Sequence, residues 1–380
     1  MTTIGTLRPR GLSPVMQAGI AQGVLGFGIT GLGACLVLLA GDLGVAPESL
    51  AWLPATFGFG LLATAPAGPY LLRHGPRLAL VTGSLALAAG LTLLALSSAM
   101  PLVVAGALLL GVGGAAFVLV TPALLAGAGT TSQLSRATAV GSAAAVLAPA
   151  LIGGVDATGL VNGRIALLAG VPLLLFLALT ARPGAPVGSS PVSRPALSVT
   201  GRRWTVMVLA VSVEFCFTIW AVARLAGTGL PVSRAALLGT AFPIGMALGR
   251  AVAPLLLGVL PVRRGGVPIP LTGMVPLASL VTAAGAVLVV ASGHPAVVTA
   301  GLVVAGLGVA TLYPVTLATL VATPGLSGRH AASLGALASG AAIVAAPVAL
   351  ARLANILDLR LAYLITLPLL AALLTLRRRD

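Results

Sequence analysis

Apolar residues run through this chain in long uninterrupted segments, each close to the length of a helix that crosses a membrane. Crossing the hydrocarbon core takes about 20 helical residues, and glycine, proline or charge bounds each segment. The segments cover residues 14–39, 49–71, 77–97, 101–126, 136–155, 161–180, 204–227, 234–260, 269–291, 295–322, 330–353 and 359–376. This pattern predicts an all-α membrane protein with twelve transmembrane helices.

One hydrophilic break divides the twelve segments into two sets of six. Residues 181–203 (ARPGAPVGSSPVSRPALSVTGRR) are rich in proline, serine and glycine and carry four arginines. Such a composition is typical of an extended linker. We therefore predict an N-terminal six-helix bundle over residues 1–180, a cytoplasmic linker over 181–203 and a C-terminal six-helix bundle over 204–380.

Composition excludes a soluble domain. Of the 380 residues, 58% are hydrophobic and 7% are charged, whereas soluble domains carry about 25% charged residues. The net charge of +15 does not indicate nucleic acid binding, because the arginines lie in short loops on alternate sides of successive segments, as the positive-inside rule requires. We predict a multi-pass protein of the cytoplasmic (inner or plasma) membrane with both termini cytoplasmic.

Two short patterns recur in the two halves of the chain. The loop after the second segment reads GPYLLRHGPR from Gly68, and the loop after the eighth reads GVLPVRRG from Gly258, an offset of 190 (258 − 68). The patterns PALLA at Pro122 and PVTLA at Pro314 are 192 residues apart (314 − 122). Two repeats of six helices, related by an axis along the membrane normal, form one known transporter architecture.

Over essentially its whole length the chain resembles a major facilitator superfamily transporter. The family's loop signature after the second span is Gly-x-Leu-x-Asp-Arg-x-Gly-Arg-Arg/Lys. This chain matches that signature at Gly68, Arg73, Gly75 and Arg77, and in the second half at Gly258, Leu260, Arg263 and Gly265. Leu72 and Val262 stand where the family usually has an aspartate whose charged contacts help close the cytoplasmic gate. The resemblance therefore implies that this gate relies on other contacts.

Two further patterns bear on what is transported and in which direction. The fifth segment, with Ala148-Pro149 and Gly153, partly resembles the family's antiporter pattern, although Ile152 replaces a glycine. This resemblance slightly favours export over uptake. The spacing Glu214-x5-Trp220 is similar to one in fucose-permease-like members, which keeps uptake of a sugar-like solute as the alternative.

Glu214 is the one acidic residue deep inside a long apolar segment. It falls within about two residues of the segment's midpoint, so at ~1.5 Å per residue it lies near the bilayer centre. An ionisable group at that depth is costly unless it faces a polar cavity or a partner, or carries a proton. Since desolvation favours the neutral form of a carboxyl, such a residue could load and release protons. The alternative is an acid neutralised by a packing partner.

Arg250 is the candidate partner of Glu214. It lies about three residues past the middle of the eighth segment, at a depth similar to that of Glu214. The two side chains could pair when one conformation brings them together, which would make Arg250 part of the proton-coupling site. The alternative is a static buried ion pair that orients helices, and breaking such a pair costs ~3–5 kcal/mol.

Polar residues on the helices that line the central cavity in the family are candidates for contact with the solute. These candidates are Gln17, Gln22, Thr30, Thr121, Thr218, Trp220, Thr311 and Tyr313. For each of them the alternative is a structural role, because hydroxyls in membrane helices often bond the backbone. With one acid in the membrane and few aromatic residues, the cavity is expected to be neutral and weakly polar.

Nothing in the sequence indicates an enzyme. No Gly-x4-Gly-Lys-Ser/Thr loop is present, since the chain contains no lysine, and no cofactor is predicted. The histidines His74, His294 and His330 lie in or beside loops with spacings unlike those of metal ligands. Energy is therefore expected to come from an ion gradient.

The sequence thus predicts a secondary active transporter of a small organic solute that works by alternating access and is coupled to protons. The rival from another class is a non-transporting membrane sensor or scaffold on the same fold. The expected partners are the solute, protons and the lipid bilayer, and we expect a monomer that binds no nucleic acid.

Overall fold

The computed structural model describes residues 12–73, 75–125, 130–181, 196–259 and 273–377. This part of the chain contains twelve helices that are long and apolar enough to cross a membrane, which confirms the predicted all-α fold. In chain order they are α1 (Pro14–Leu43), α2 (Pro47–Ala67), α3 (Pro76–Leu96), α4 (Met100–Leu124), α5 (Thr130–Ala157), α6 (Gly163–Thr180), α7 (Leu197–Ala226), α8 (Val232–Gly239 and Ala241–Val259), α9 (Met274–Ala291), α10 (Pro295–Val321), α11 (Gly328–Leu357) and α12 (Leu359–Arg377).

Local sequence signals set the helix ends. At the start of α1, Ser13 accepts a hydrogen bond from the backbone N–H of Met16 at 3.3 Å, and Pro14 occupies the first helical position. Both features satisfy or remove backbone donors that the first turn leaves unpaired. At its other end Gly44 adopts the left-handed conformation (φ 63°) and donates to the carbonyls of Ala40 and Gly41.

The predicted start of α7 at residue 204 is wrong. The helix begins at Leu197, inside the predicted linker. Arg203 lies on its first turns and donates to the carbonyl oxygen of Thr319 at 2.9 Å and to Thr323 Oγ1 at 3.2 Å, which anchors this polar extension. The length of an apolar segment shows only the part of a helix that lies in the membrane, so it misses a polar part that continues into water. Residues 182–195 of the predicted linker lie outside the described part of the chain.

Glycines allow neighbouring helices within each half to pack backbone against backbone. A Cβ added at Gly90 of α3 would lie 2.7 Å from the carbonyl oxygen of Gly106 on α4. In the second half, a Cβ at Gly285 of α9 would lie 2.7 Å from the carbonyl oxygen of Gly301 on α10. Without a hydrophobic driving force between helices in lipid, such small-residue contacts are a main source of helix association.

These glycine contacts measure the internal repeat. Gly90 and Gly285 are 195 residues apart (285 − 90), as are Gly106 and Gly301 (301 − 106). Helices α3 and α4 therefore repeat as α9 and α10 at this one offset. The sequence patterns paired Pro122 with Pro314 at an offset of 192 residues. Compared with the offset of 195 that the glycine contacts give, this pairing is wrong by three residues, nearly one helical turn.

Arginines bind the helix ends at the side of the bundle where α1 ends, which we call the far end. Arg164 donates to the carbonyl oxygen of Ser97 at 2.8 Å, just after α3, and pairs with Asp42 at 3.0 Å. In the second half, Arg360 donates to the carbonyl oxygens of Val290 and of Ala291, the latter at 2.7 Å, at the end of α9. The two arginines are 196 residues apart (360 − 164) and satisfy the carbonyls that end a helix.

A third arginine, Arg224 at the end of α7, is buried against the same helix end. Its guanidinium donates to the carbonyl oxygens of Val289 at 2.9 Å and Ser292 at 2.6 Å. The end of α9 is therefore held by arginines from both α7 and α12.

The two halves meet through α1 against α7, α2 against α11, and α5 against α8. Toward the far end the contact is backbone to backbone: a Cβ at Gly33 would lie 2.9 Å from the carbonyl oxygen of Ile219, and one at Gly153 would lie 2.6 Å from that of Ser233. At the opposite side, where α1 begins and which we call the terminal end, Ser333 Oγ donates to the carbonyl oxygen of Ala65 at 2.6 Å. The halves are thus in contact at both ends.

Candidate functional site

A cavity of about 140 Å³ lies between the two halves, midway along the helices. Helices from both halves form its walls, which are largely apolar. Its polar lining comes mainly from Gln22, Ser142, Glu214, Thr218, Arg250 and Tyr313. The structure therefore brings together several of the predicted site residues around one space.

Glu214 lies near the middle of α7 and lines this cavity. Within the described residues, its carboxyl group makes no hydrogen bond and no ion pair. One turn later, Thr218 Oγ1 donates to the backbone carbonyl of Glu214 at 2.9 Å, so that hydroxyl is engaged by its own helix. The carboxyl is thus left to whatever enters the cavity.

Arg250 lines the same cavity from α8 and reaches to α5, across the boundary between the halves. Its guanidinium donates to Ser142 Oγ and to the carbonyl oxygen of Thr138 at 3.3 Å. Its Nε also donates to the carbonyl oxygen of Ala310 on α10 at 3.4 Å. These contacts lie on the terminal side of the cavity, so Arg250 holds α5 and α8 together there.

Glu214 and Arg250 line the same cavity without forming a salt bridge. Among the residues that the structure describes, one ion pair is present, and it joins Arg164 to Asp42 at the far end. The static ion pair considered from the sequence is therefore not present in this conformation. Pairing in another conformation stays a prediction.

The predicted cavity residues on α1 and α4 take different roles. Gln22 lines the cavity and donates through Nε2 to Thr121 Oγ1 at 2.9 Å. Thr121 in turn donates to the carbonyl of Phe117 at 2.7 Å, so it positions Gln22. Thr30 lines the cavity, but its hydroxyl donates to the carbonyl of Ala145 at 2.8 Å.

Three other predicted residues do not reach the cavity in this structure. Gln17 is buried near the start of α1, with Nε2 3.5 Å from the carbonyl oxygen of Thr180. Trp220 is fully buried, and its indole Nε1 donates to the carbonyl of Pro347 on α11 at 3.2 Å. Thr311 is half-buried on α10 and is not part of the lining.

No protein-family model and no curated protein matches the sequence. Solved structures do match. The human organic anion transporter MFSD10 (TETRAN) superposes with a TM-score of 0.70 at 18% identity, covering 96% of this chain and 98% of that one. A variant of the nucleoside transporter NupG gives 0.70 at 13% identity over 97% and 99% of the two chains. A variant of the E. coli fucose:proton symporter FucP gives 0.64 at 15% identity over 97% and 99%.

The chain has the major facilitator fold. At these identities the likeness shows the fold alone, and it confirms the architecture of two six-helix pseudo-symmetric halves that the sequence predicts.

The loop between α2 and α3, whose sequence partly resembles the major facilitator loop signature, is partly described. Leu72, at the position of the family's aspartate, is buried among apolar side chains, and the Arg73 guanidinium lies 4.0 Å from the centre of the Tyr70 ring.

Gly75 has a φ of 88°, a conformation that favours glycine, and leads into α3. The exposed Arg77 follows on its first turn. A Cβ at Gly68 would lie 2.8 Å from the Leu119 side chain, which accounts for the glycine.

The second copy of the signature can be placed only in part. Gly258 lies in the last turn of α8, whereas Arg263 and Gly265 lie outside the described residues. The described residues contain no group of three or more His, Cys, Asp or Glu side chains that could hold a metal ion.

Sequence reasoning missed the residues that engage Arg250. Thr138 and Ser142 are one turn apart in the first half of α5, in a run of small residues that is typical of a packing surface. A buried guanidinium needs several acceptors. Searching the facing helix for a serine or threonine at matching depth could have found Ser142. Ser339 of α11, a further lining residue, carried no such signal.

We predict that Ser142→Ala will lower stability, because it leaves part of the partly buried Arg250 guanidinium without its side-chain acceptor. The expected loss is ~1–3 kcal/mol, measurable as a lower melting temperature in detergent. Thr82→Ala is the matched control, since that exposed hydroxyl donates to the Leu78 carbonyl of its own helix at 2.8 Å. Equal melting of the two variants would show that the Arg250 contact adds nothing.

Proposed function

We propose that this protein is a secondary active transporter that carries a small organic solute across a membrane by alternating access. The observation that supports this most strongly is the central cavity, whose walls come from both halves and which contains an unpartnered carboxyl. In a transporter with two rocking halves, the substrate site lies at that interface. A sensor or scaffold on the same fold would not need such a group there.

Glu214 is the proposed proton carrier. It lies at mid-membrane depth and faces the cavity, where an ionisable residue is a functional site by default. Protonated, it would be neutral in the closed cavity, and it would release the proton when the cavity opens to water. The structural relative FucP is a fucose:proton symporter, which is consistent with proton coupling on this fold.

Arg250 is the proposed second element of coupling. When the terminal end opens, α5 and α8 must separate, and Arg250 then loses Ser142 and Thr138 as acceptors. An unpaired guanidinium at this depth is costly, so pairing with the ionised Glu214 across the same cavity would offset that loss. Loss of the proton and opening of the terminal end would then favour each other.

The solute is proposed to be small and weakly polar. The cavity is mostly apolar, with Gln22, Tyr313 and several serine and threonine residues as uncharged polar groups and one charge of each sign. The named relatives transport an organic anion, nucleosides and fucose, and these classes define a first panel. We favour export slightly, and uptake of a sugar-like solute is the second candidate, because a relative with this fold is a fucose symporter.

The test is flux into proteoliposomes under an imposed pH gradient, with a panel of sugars, nucleosides and organic anions. We expect accumulation of at least one solute, which collapses when a protonophore removes the gradient. Protein-free liposomes and protein without a gradient are the controls. Well-folded protein that moves no solute in the panel would favour the sensor or scaffold.

The orientation in the membrane gives a separate prediction. Because basic residues concentrate at the terminal end, both termini and the linker should be cytoplasmic. A reporter that is active only in the cytoplasm should be active when fused after Asp380 and when inserted at Ser189. Activity at one position and not the other would contradict the six-plus-six topology.

A further inference from the structure

A second, larger cavity lies on the outer surface of the N-terminal half, away from the central site. It is a groove of about 520 Å³ between α1, α5 and α6. Along α1 it runs from Val15, one residue after the start of the helix, to Phe27 near its middle, and along α5 it runs from Val140, beside Gly23, to Leu151. The twelve residues from Val15 to Phe27 cover about 18 Å at ~1.5 Å per residue, comparable to the thickness of one leaflet.

The groove is open to the lipid, and its lining side chains provide no hydrogen-bond partner for water. Its lining side chains are apolar, and Met16, Leu147 and Leu173 are each about half exposed (54%, 53% and 49%). Water needs polar partners to occupy a cavity, and none of the lining side chains supplies one. Glycines of α1 form its floor: a Cβ at Gly19 would meet no atom within 4 Å. The shape and chemistry fit a hydrocarbon chain.

A cation stands at the terminal mouth of the groove. Arg136 precedes Val140, Ala144, Leu147 and Leu151 at intervals of four, four, three and four residues, so it continues the same face of α5 that lines the groove. Its side chain is exposed and makes no hydrogen bond or ion pair within the described residues. Arg136 thus lies at the depth where a lipid headgroup would be found.

We propose that this groove is a binding site for an anionic phospholipid, with one acyl chain in the groove and the headgroup phosphate on Arg136. The apolar lining supplies affinity by burial of the chain. The guanidinium supplies the preference for an anionic headgroup, because a single Arg near a membrane surface attracts anionic lipid by an amount that corresponds to about fivefold. Seating a chain between α1, α5 and α6 fills a surface gap that these helices leave among themselves.

The test is native mass spectrometry of protein taken from vesicles of equimolar dioleoyl phosphatidylglycerol and dioleoyl phosphatidylcholine. We expect one phospholipid to remain bound, with phosphatidylglycerol preferred about fivefold. Gly19→Phe should remove the bound lipid, since its ring would occupy the groove without meeting protein atoms near the Cβ. Gly41→Phe is the matched control on the same helix, because Gly41 also has open space around it.

A second variant separates the headgroup from the chain. Arg136→Gln should keep the bound lipid but lose the preference for phosphatidylglycerol, whereas Arg77→Gln, an exposed arginine at the same end, should keep both. If Gly19→Phe does not fold, the smaller Gly19→Ile serves the same purpose. Retention of no lipid by the native chain, unchanged retention in a folded Gly19 variant, or an unchanged preference in Arg136→Gln would each overturn the proposal.

Discussion

Replacing Glu214 by glutamine should abolish proton-driven accumulation of the solute while solute binding and exchange between preloaded pools survive. Glutamine keeps the size and hydrogen bonding of the side chain but cannot titrate. The accumulation ratio should fall by up to about a hundredfold, because a pH difference of two units can drive at most that gradient when one proton moves with one solute. Asp156→Asn is the control, an acid at the far end outside the cavity.

The same variant distinguishes a proton carrier from an anchor for Arg250. In this structure Arg250 is held by Ser142, Thr138 and Ala310, so we expect Glu214→Gln to melt within a degree or two of the native chain. A large loss of stability that is recovered by adding Arg250→Gln would indicate a structural pair. Normal proton-driven accumulation in Glu214→Gln would end the coupling proposal.

Gly153→Ala should reduce transport about tenfold. The added Cβ would lie 2.6 Å from the carbonyl oxygen of Ser233 and 3.0 Å from the backbone nitrogen of Leu237, and neither backbone atom can move aside unless α5 and α8 separate. Overpacking of this kind costs ~1–3 kcal/mol, and each ~1.4 kcal/mol changes a population tenfold. The conformation with the far end closed should become rarer.

Two measurements check this result. Initial uptake rates should fall, and a cysteine introduced at Thr218, with Cys35 and Cys216 replaced by alanine, should react faster with an impermeant thiol reagent added at the far side. The neighbouring Gly154→Ala is the matched control, because a Cβ there meets nothing within 4 Å. Equal transport by the two variants would mean that this contact does not limit closure.

The architecture could be predicted from the sequence because bilayer thickness fixes the length of each apolar segment. All twelve helices follow from that constraint together with the proline and glycine at their ends. The start of α7 was predicted wrongly because the residues just before Trp204 are largely polar. Their helix is held by contacts of Arg203 with α10, which no local pattern reveals.

The candidate site could be predicted only in part. Glu214 was found because a charge at mid-membrane depth is costly wherever its side chain points. The hydrogen bonds of Arg250 to α5 depend on the register between α5 and α8, which glycine contacts set and which the order of residues does not reveal. For the same reason the sequence could not show that Trp220, a predicted cavity residue, lies in the core and donates to the carbonyl of Pro347.

The arginines that bind helix ends at the far end also shape the electrostatic field around the molecule, because a guanidinium keeps its positive charge when it donates to carbonyls. In the described residues at this end, charges of both signs lie close together: Arg164, Arg224, Arg234, Arg352 and Arg360 with Asp42, Glu48, Asp156 and Asp358. These charges nearly balance, whereas the terminal end is strongly basic. A charged solute would therefore be steered mainly at the terminal end, where the field attracts anions during diffusion, before any contact with the central cavity.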